Sequence, residues 1–370
     1  AIIGKWHLGS DPQGFDHWRI LPGQGDYYNP VFITPEGRVQ VEGHCTDLVT
    51  DMAIEWLEES HDPDRPFMLM MQHKAPHRNW MPAPRHLAHY ANAVIPEPPT
   101  LFDTWDDNAS TVRTAEMSIR DHMNLDYDLF VRAPARPEFD TYPARDTSGQ
   151  RNLLAMTEEQ RATWNAFFDE DNARFEAMHL EGDALVRWKY QRYMKNYLGA
   201  IRGVDDSVGT MLAYLDRAGL ADDTVVIYSS DQGFFLGDHG WFDKRWMYEE
   251  SLRMPLIVRW PGVTTPGTRT RLMVQNLDYA QTLLEIAGLA KGDGMQGRSL
   301  VPLLKGEHPD DWRDAIYYHY HAHPAIHNVP RHCGVRTERY KLIQFYQTDE
   351  WEFYDLEHDP DEIINAYDDP

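Results

Sequence analysis

Apolar residues along this chain fall into two kinds of pattern. Ile2-Ile3, Phe67–Met71, Thr224–Ser230 and Leu256–Trp260 are short apolar runs with the length and composition of buried strands. Between them the spacing turns helical. Leu48, Val49, Met52, Ala53, Trp56 and Leu57 share one face of a helix predicted over Thr46–Glu59. Tyr193, Met194, Tyr197, Leu198, Ile201, Val204, Val208, Met211 and Leu215 do the same over Leu185–Leu220, with Gly219 as the stop signal. Another helix is predicted over Asn276–Leu289. Strands alternating with helices predict an α/β sheet covered on both faces, with ligands beyond the carboxyl ends of the strands.

Three stretches depart from that alternation. Gly9–Gly43 is rich in Gly, Pro and aromatics and reads as an ordered loop region. Residues 96–183 are the least regular, with PEPP, ARPEFDTYPARD and a helical patch over Glu158–Phe175. Between Asp103 and Asp183 they hold 18 Asp/Glu against 8 Arg and no Lys, so they read as a solvated insertion. After Pro309, GVRTERYKLIQFY and EWEFYDLE read as two antiparallel strands of a small appended sheet.

Composition narrows the function classes. A chain of 370 residues predicts one large domain plus a small one. A net charge of −24 leaves no basic surface for nucleic acid. No segment reaches the roughly 18 apolar residues of a membrane span. Two cysteines, Cys45 and Cys333, exclude a disulfide scaffold. Cys45 reads as a small hydrophobe on its helix, with a single bridge to Cys333 as the alternative.

The candidate chemistry sits at the predicted strand ends. In Gly4-Lys5-Trp6-His7-Leu8-Gly9, a cation and an imidazole two residues apart can address one anion. HKAPH adds Lys74 and His77 at a second strand end. In SSDQGFFLGDHG, the adjacent carboxylate and carboxamide of Asp231 and Gln232 are hard oxygen donors of the kind Ca²⁺ takes, whereas zinc favours His or Cys. Lys244 follows the DHG turn, where it can reach the same anion. Each feature alone also fits a solvated loop or a capped turn.

Taken together and in order, GKWHLG, the Asp-Gln pair of SSDQGFFLGDHG, Lys244 with Tyr-Glu four residues on before RMPLIVRWPG, and the ending RYKLIQFYQTDEWEFYDLEHDPDE closely resemble the sulfatases of the alkaline-phosphatase superfamily. GFDHWRILPGQGDYYNP and HKAPHRNW further resemble the bacterial N-acetylglucosamine-6-sulfatases and mucin-desulfating enzymes. The resemblance implies an alkaline-phosphatase-like central mixed sheet flanked by helices in residues 1–308, with 96–183 as an insertion. A small C-terminal α+β subdomain with an antiparallel sheet would fill 309–370.

The resemblance also implies roles. Asp231 and Gln232 would supply half of a site for one Ca²⁺. Lys5, His77 and Lys244 would hold the sulfate, and His7 would assist proton transfer beside the nucleophile. His239, beside the metal pair, would touch substrate. Apart from the resemblance, Lys74 at its strand end is a further substrate contact, and His327, Arg331 and His332 belong to a His-rich stretch that could read sugar hydroxyls or a carboxylate, with a structural edge strand equally open and a His-rich metal site disfavoured for want of cysteines. Trp18, Tyr27, Tyr28 and Trp80 would suit a sugar face.

The implied partner is a sulfated glycan, and the implied compartment is periplasmic or secreted. In the family the nucleophile is a formylglycine made from C/S-x-P-x-R, whose hydrated aldehyde splits the reaction into two steps. Neither cysteine lies in that motif, and an Asp-Asp pair completing the metal site is missing. Both are expected upstream of GKWHLG, and residues 1–370 alone are expected to be inactive. A phosphoesterase of the same superfamily is the first alternative, disfavoured because Gln232 stands where a transition metal would want His. A non-catalytic glycan-binding protein is the second.

Overall fold

The computed structural model describes residues 1–131 and 148–369. ARPEFDTYPARD lies outside the described residues. The chain divides into two units, Ala1–Glu97 with Ile119–Ala221, and Pro98–Ser118 with Asp222–Pro370.

The first unit is built on a five-stranded sheet. Its strands are β1 (Ile2–Lys5), β2 (Trp18–Leu21), β3 (Val31–Thr34), β4 (Gly37–Gln40) and β5 (Met70–Gln72), in the order β4-β3-β2-β1-β5. Strand β1 runs parallel to both β2 and β5, whereas β3 is antiparallel to β2 and to β4, so the sheet is mixed. Ile2 and Ile3 are fully buried, as their apolar run requires. Gly4 has a structural reason to be glycine. Its φ is 110°, and a Cβ there would lie 2.0 Å from the carbonyl oxygen of Gln72 on β5.

Helix α1 (Cys45–Glu55) passes into a π-turn over Trp56–Ser60 and buries Val49, Met52 and Ala53. After α2 (Ser148–Ala155), helix α3 (Glu158–Met178) starts in a reciprocal capping box between Thr157 and Gln160. Helix α4 (Gly182–Arg217) has 36 residues and packs against α1, with the Thr50 and Ser207 hydroxyls 2.5 Å apart. Gly219, at φ 70°, follows its C-cap, as the stop signal predicted.

The second unit holds β6 (Val226–Ser229), the two-residue pair β7 (Phe235–Leu236) and β8 (Phe242–Asp243), the short helix α5 (Glu249–Leu252), β9 (Leu256–Arg259) and α6 (Leu277–Ile286). Strands β6 and β9 are antiparallel to each other. A meander of β10 (Ala315–Tyr320), β11 (His332–Thr337), β12 (Tyr340–Phe345) and β13 (Glu350–Asp355) forms an antiparallel sheet in sequence order. Its inner face carries Ile343, Phe345 and Tyr354 into a core with Trp241, Trp246, Met247 and Tyr248.

Two readings of the pattern are corrected here. Gly9–Gly43 is strand-bearing, because β2, β3 and β4 are four-residue strands too short to stand out among glycines and prolines. The C-terminal sheet has four strands instead of two: GVRTERYKLIQFY folds back at Glu338-Arg339, and the His-rich stretch supplies the edge strand β10. Both cysteines are free thiols.

Candidate active site

In the first unit, β1 and β5 are parallel with Gly4 opposite Gln72, so GKWHLG and HKAPH leave the sheet at the same edge. Topology therefore brings together two segments that sequence separates by more than sixty residues. Lys5 is half-buried, and His7 is exposed with φ 57°, a left-handed conformation uncommon outside glycine. Lys74 is buried. Its Nζ donates to the carbonyl oxygens of Gln24 (3.2 Å) and Arg78 (3.4 Å) and lies 4.8 Å from the Tyr27 ring centre. Burial, followed by repulsion from Lys5, pulls its pKa down to about 8.

His77 is half-buried, and its Nδ1 lies 2.8 Å from the carbonyl oxygen of Arg78. A carbonyl only accepts, so Nδ1 carries a proton. The Tyr27 hydroxyl donates to the His77 carbonyl at 2.6 Å. The loop is clamped from behind by Arg78, whose Nε and Nη2 donate to Asp128 at 2.5 and 2.7 Å with both side chains buried. Asn79 reaches the Tyr127 carbonyl at 2.6 Å. The supposedly solvated insertion thus braces the loop that carries Lys74 and His77.

In the second unit, β6 ends at Ser229, whose hydroxyl donates to the Pro255 carbonyl (2.9 Å) and lies 2.7 Å from that of Tyr279. Asp231 emerges exposed, with only the Ser230 hydroxyl at 3.4 Å against its carboxylate among the described residues. Gln232 comes next and is half-buried. One carboxylate and one amide oxygen, unclaimed by internal ion pairs, fit a hard cation such as Ca²⁺.

Lys244 is braced by Asp243. That buried carboxylate meets Lys244 Nζ at 3.6 Å, Arg245 Nη1 at 2.7 Å and His327 Nε2 at 2.8 Å. Burial alone would raise its pKa, yet Lys244, Arg245 and His327 hold it well below the usual carboxylate range. The aliphatic stem of Lys244 carries its Nζ to 5.6 Å from the Phe234 ring centre.

Four expected substrate contacts sit differently. His239 is fully buried, with Nδ1 3.1 Å from Asp103, its ring stacked on Tyr248 and Nε2 3.8 Å from Glu250. His327 is buried between the Glu116 carbonyl (2.8 Å) and Asp243. His332 has no exposed surface, stacks on Trp246 and Tyr320, and places Nδ1 2.8 Å from the Pro330 carbonyl. These three rings pack the core and have no face to offer a sugar. Arg331 spends its guanidinium on the carbonyls of His321 (2.8 Å) and His323 (3.2 Å). Tyr27, Tyr28 and Trp80 are likewise at most 1% exposed, which removes them from any sugar face and leaves the half-buried Trp18 on β2.

Asp243, Asp103, Asp128 and Tyr27 were missed as supports. Asp243 had a signal, since it immediately precedes Lys244-Arg245 in GWFDKRW. The others are joined to their partners only through the fold.

Residues 1–289 match the sulfatase family model, and residues 237–370 match the C-terminal model of N-sulphoglucosamine sulphohydrolase. The chain is 45% identical over 375 residues to an N-acetylglucosamine-6-O-sulfatase of Bacteroides thetaiotaomicron, covering 99% of this chain and 66% of that protein. It is 25% identical over 320 residues to the N-acetylglucosamine-6-sulfatase of Bos taurus, covering 85% of this chain and 46% of the relative. A solved structure described as a complex with its substrate D-glucosamine-2-N,6-O-disulfate superposes with a TM-score of 0.93 at 45% identity, covering all of this chain and 75% of that one. The chain thus spans about two thirds or less of the length of these curated relatives. With its mixed sheet, flanking helices and C-terminal antiparallel sheet, it belongs to the sulfatase family of the alkaline-phosphatase superfamily.

Proposed function

We propose that the protein to which this chain belongs hydrolyses the 6-O-sulfate ester of glucosamine-type sugars in mucin or glycosaminoglycan chains. The observation carrying this reading is the 45% identity over 99% of the chain to a bacterial N-acetylglucosamine-6-O-sulfatase. The substrate named for the superposed structure, an N,6-O-disulfated glucosamine, supports tolerance of either an N-acetyl or an N-sulfate group. The family's glycan substrates support a periplasmic or secreted enzyme. Among the described residues no helix is long and apolar enough to cross a membrane.

By family resemblance Lys5 in the first unit and Lys244 in the second are sulfate-holding cations, whose charge would offset charge developing on sulfate oxygens, and caged Lys74 adds positive charge near Lys5. On the same resemblance His77 would help hold the sulfate, and exposed His7 would assist proton transfer beside the nucleophile. Asp231 and Gln232 would hold Ca²⁺, which when bound supplies Lewis-acid charge to the sulfate. By family resemblance the nucleophile would be a formylglycine made from C/S-x-P-x-R, a motif that does not occur in residues 1–370.

A panel of sulfated sugars tests the reading on the whole protein with calcium present. Sulfate release from 6-O-sulfated N-acetylglucosamine and from N,6-O-disulfated glucosamine should exceed release from galactose 6-sulfate and choline sulfate. Preference for choline or aryl sulfate over every sulfated sugar would overturn the substrate assignment.

A further inference from the structure

The turn α5 carries no residue to which a role in sulfate or metal binding has been given, yet both candidate segments of the second unit are tied to it. Ser251, 5% exposed, makes both ties. Its carbonyl accepts from the Gly233 N–H at 2.8 Å, directly after Asp231-Gln232. Its hydroxyl accepts from the Arg245 N–H at 3.0 Å, directly after Lys244.

Neither tie has slack. A Cβ on Gly233 would lie 2.0 Å from the Glu250 carbonyl oxygen and 2.6 Å from that of Arg253, so the Asp231-Gln232 segment is seated against α5 with no room between. Lys244 lies between Asp243 at φ 75° and Arg245 at φ 101°. Left-handed backbone at two non-glycine residues persists only where the surroundings over-determine it. The Ser251 hydroxyl accepts from the Arg245 amide and so helps hold this conformation.

The turn itself is immobilised by the C-terminal sheet. Glu249 pairs with Lys341 at 3.0 Å and Arg336 at 3.1 Å, and its N–H donates to Glu362 at 2.7 Å. Lys341 on β12 also meets Glu362 at 2.6 Å, both fully buried.

We infer that Ser251 is a positioning residue that sets the spacing between the Asp231-Gln232 oxygen pair and Lys244, and that the C-terminal sheet, through Glu249, holds it in place. The inference rests on the roles given above to Lys244 and to the oxygen pair.

The hydroxyl and the carbonyl of Ser251 can be separated by substitution. In the whole protein, Ser251→Ala removes the tie to Arg245 and keeps the one to Gly233. Inorganic sulfate affinity by calorimetry and kcat/KM for a 6-O-sulfated sugar should each fall about tenfold, while calcium affinity stays within about twofold, the size expected for one buried hydrogen bond. Ser251→Thr, which keeps the hydroxyl, should recover most of the loss. In a Lys244→Ala background, Ser251→Ala should cost nothing further, because it acts through Lys244.

Wild-type sulfate affinity in folded Ser251→Ala beside an impaired Lys244→Ala overturns the inference alone. So does an additive loss in the double variant, which is the mark of a merely structural residue. Undiminished turnover in Lys244→Ala overturns the functional reading and the inference together. If Ser251→Ala does not fold, the near-isosteric Ser251→Cys is held to the same outcomes.

Discussion

The two clusters of candidate site residues are held in place by different means. In the first unit the lysine is caged by backbone: Gln24 and Arg78 offer carbonyls to Lys74, and Tyr27 lies alongside its ammonium. In the second unit the lysine is braced by a carboxylate, Asp243, which also gathers Arg245 and His327. Carbonyls are dipoles and leave the full positive charge of Lys74 to act outward, at the cost of a depressed pKa. A carboxylate cancels part of the charge it orients. One chain thus holds a backbone-caged cation with a depressed pKa in one unit and a carboxylate-braced cation in the other.

The largest expected effect tests the chemistry that both arrangements would serve. Asp231→Ala removes an exposed carboxylate, the proposed calcium ligand, that only the Ser230 hydroxyl meets among the described residues, so kcat/KM should drop by about 10³-fold or more while the melting temperature stays within about 2 °C. Steady-state kinetics with calcium, beside a thermal melt, checks both parts. Near-parental turnover would remove Asp231 from the metal site.

Bracing should matter next. Arg78→Ala strands buried Asp128, and Lys341→Met strands buried Glu362 and leaves Glu249 with Arg336 alone, so each should cost roughly 3–4 kcal/mol in a urea titration. Activity should fall through stability in both, and calcium affinity should fall only for Lys341→Met. Equal calcium affinities would mean that the C-terminal sheet does not support the metal ligands.

Acid should unsettle the second unit in particular. Burial would push Glu249 up, but Lys341 and Arg336 hold its pKa at about 2 against an ordinary value of 4.5. The folded value is the lower, so the stabilisation is complete above pH 4.5 and drains away as pH falls towards 2. Lys341 is shared by two carboxylates; burial keeps Glu362 high, whereas at Glu249 Lys341, joined by Arg336, outweighs burial. Between pH 5 and pH 3 the wild type should lose on the order of 2 kcal/mol that Glu249→Gln does not. Parallel urea midpoints for the two proteins would rule this out.

Sequence patterning disclosed the strand ends because their chemistry is contiguous: GKWHLG, HKAPH and SSDQG each adjoin an apolar run and carry the polar groups of the loop that leaves it. It could not disclose the residues that stand behind them. Asp128 and Arg78 are fifty residues apart, and Lys341 and Glu249 more than ninety, with no spacing rule to join them. Aromatics misled for a related reason. Tyr27 and Trp80 have the chemistry of a sugar platform and of a core alike, and only burial distinguishes the two. His332 is placed by its faces, stacked on Trp246 and Tyr320, and His327 spends both ring nitrogens on internal partners, Glu116 and Asp243.

The smallest predicted effect concerns the caged cation. Lys74 titrates at about 8 in the fold against 10.5 when free, so it loses its proton as pH rises through 8. Inorganic sulfate should bind a few-fold more weakly at pH 9 than at pH 7 by calorimetry, and Lys74→Met should flatten that dependence while retaining the fold. A dependence that survives Lys74→Met would assign the titration elsewhere.

The two free thiols give each unit its own reporter. Cys45 opens α1 in the first unit, is fully buried, and has a pKa pushed by burial to about 12, so neither access nor ionisation favours its modification. Cys333 lies half-buried on β11 of the second unit, its sulfur 3.9 Å from Gln344. An alkylating probe applied to the native protein would mark Cys333 first, on a timescale set by its own surface. It would reach Cys45 only when α1 lifts from its sheet. The lag between the two marks is a clock for local opening of the unit that holds Lys5, Lys74 and His77, and it can be read without a ligand, a metal or a substrate.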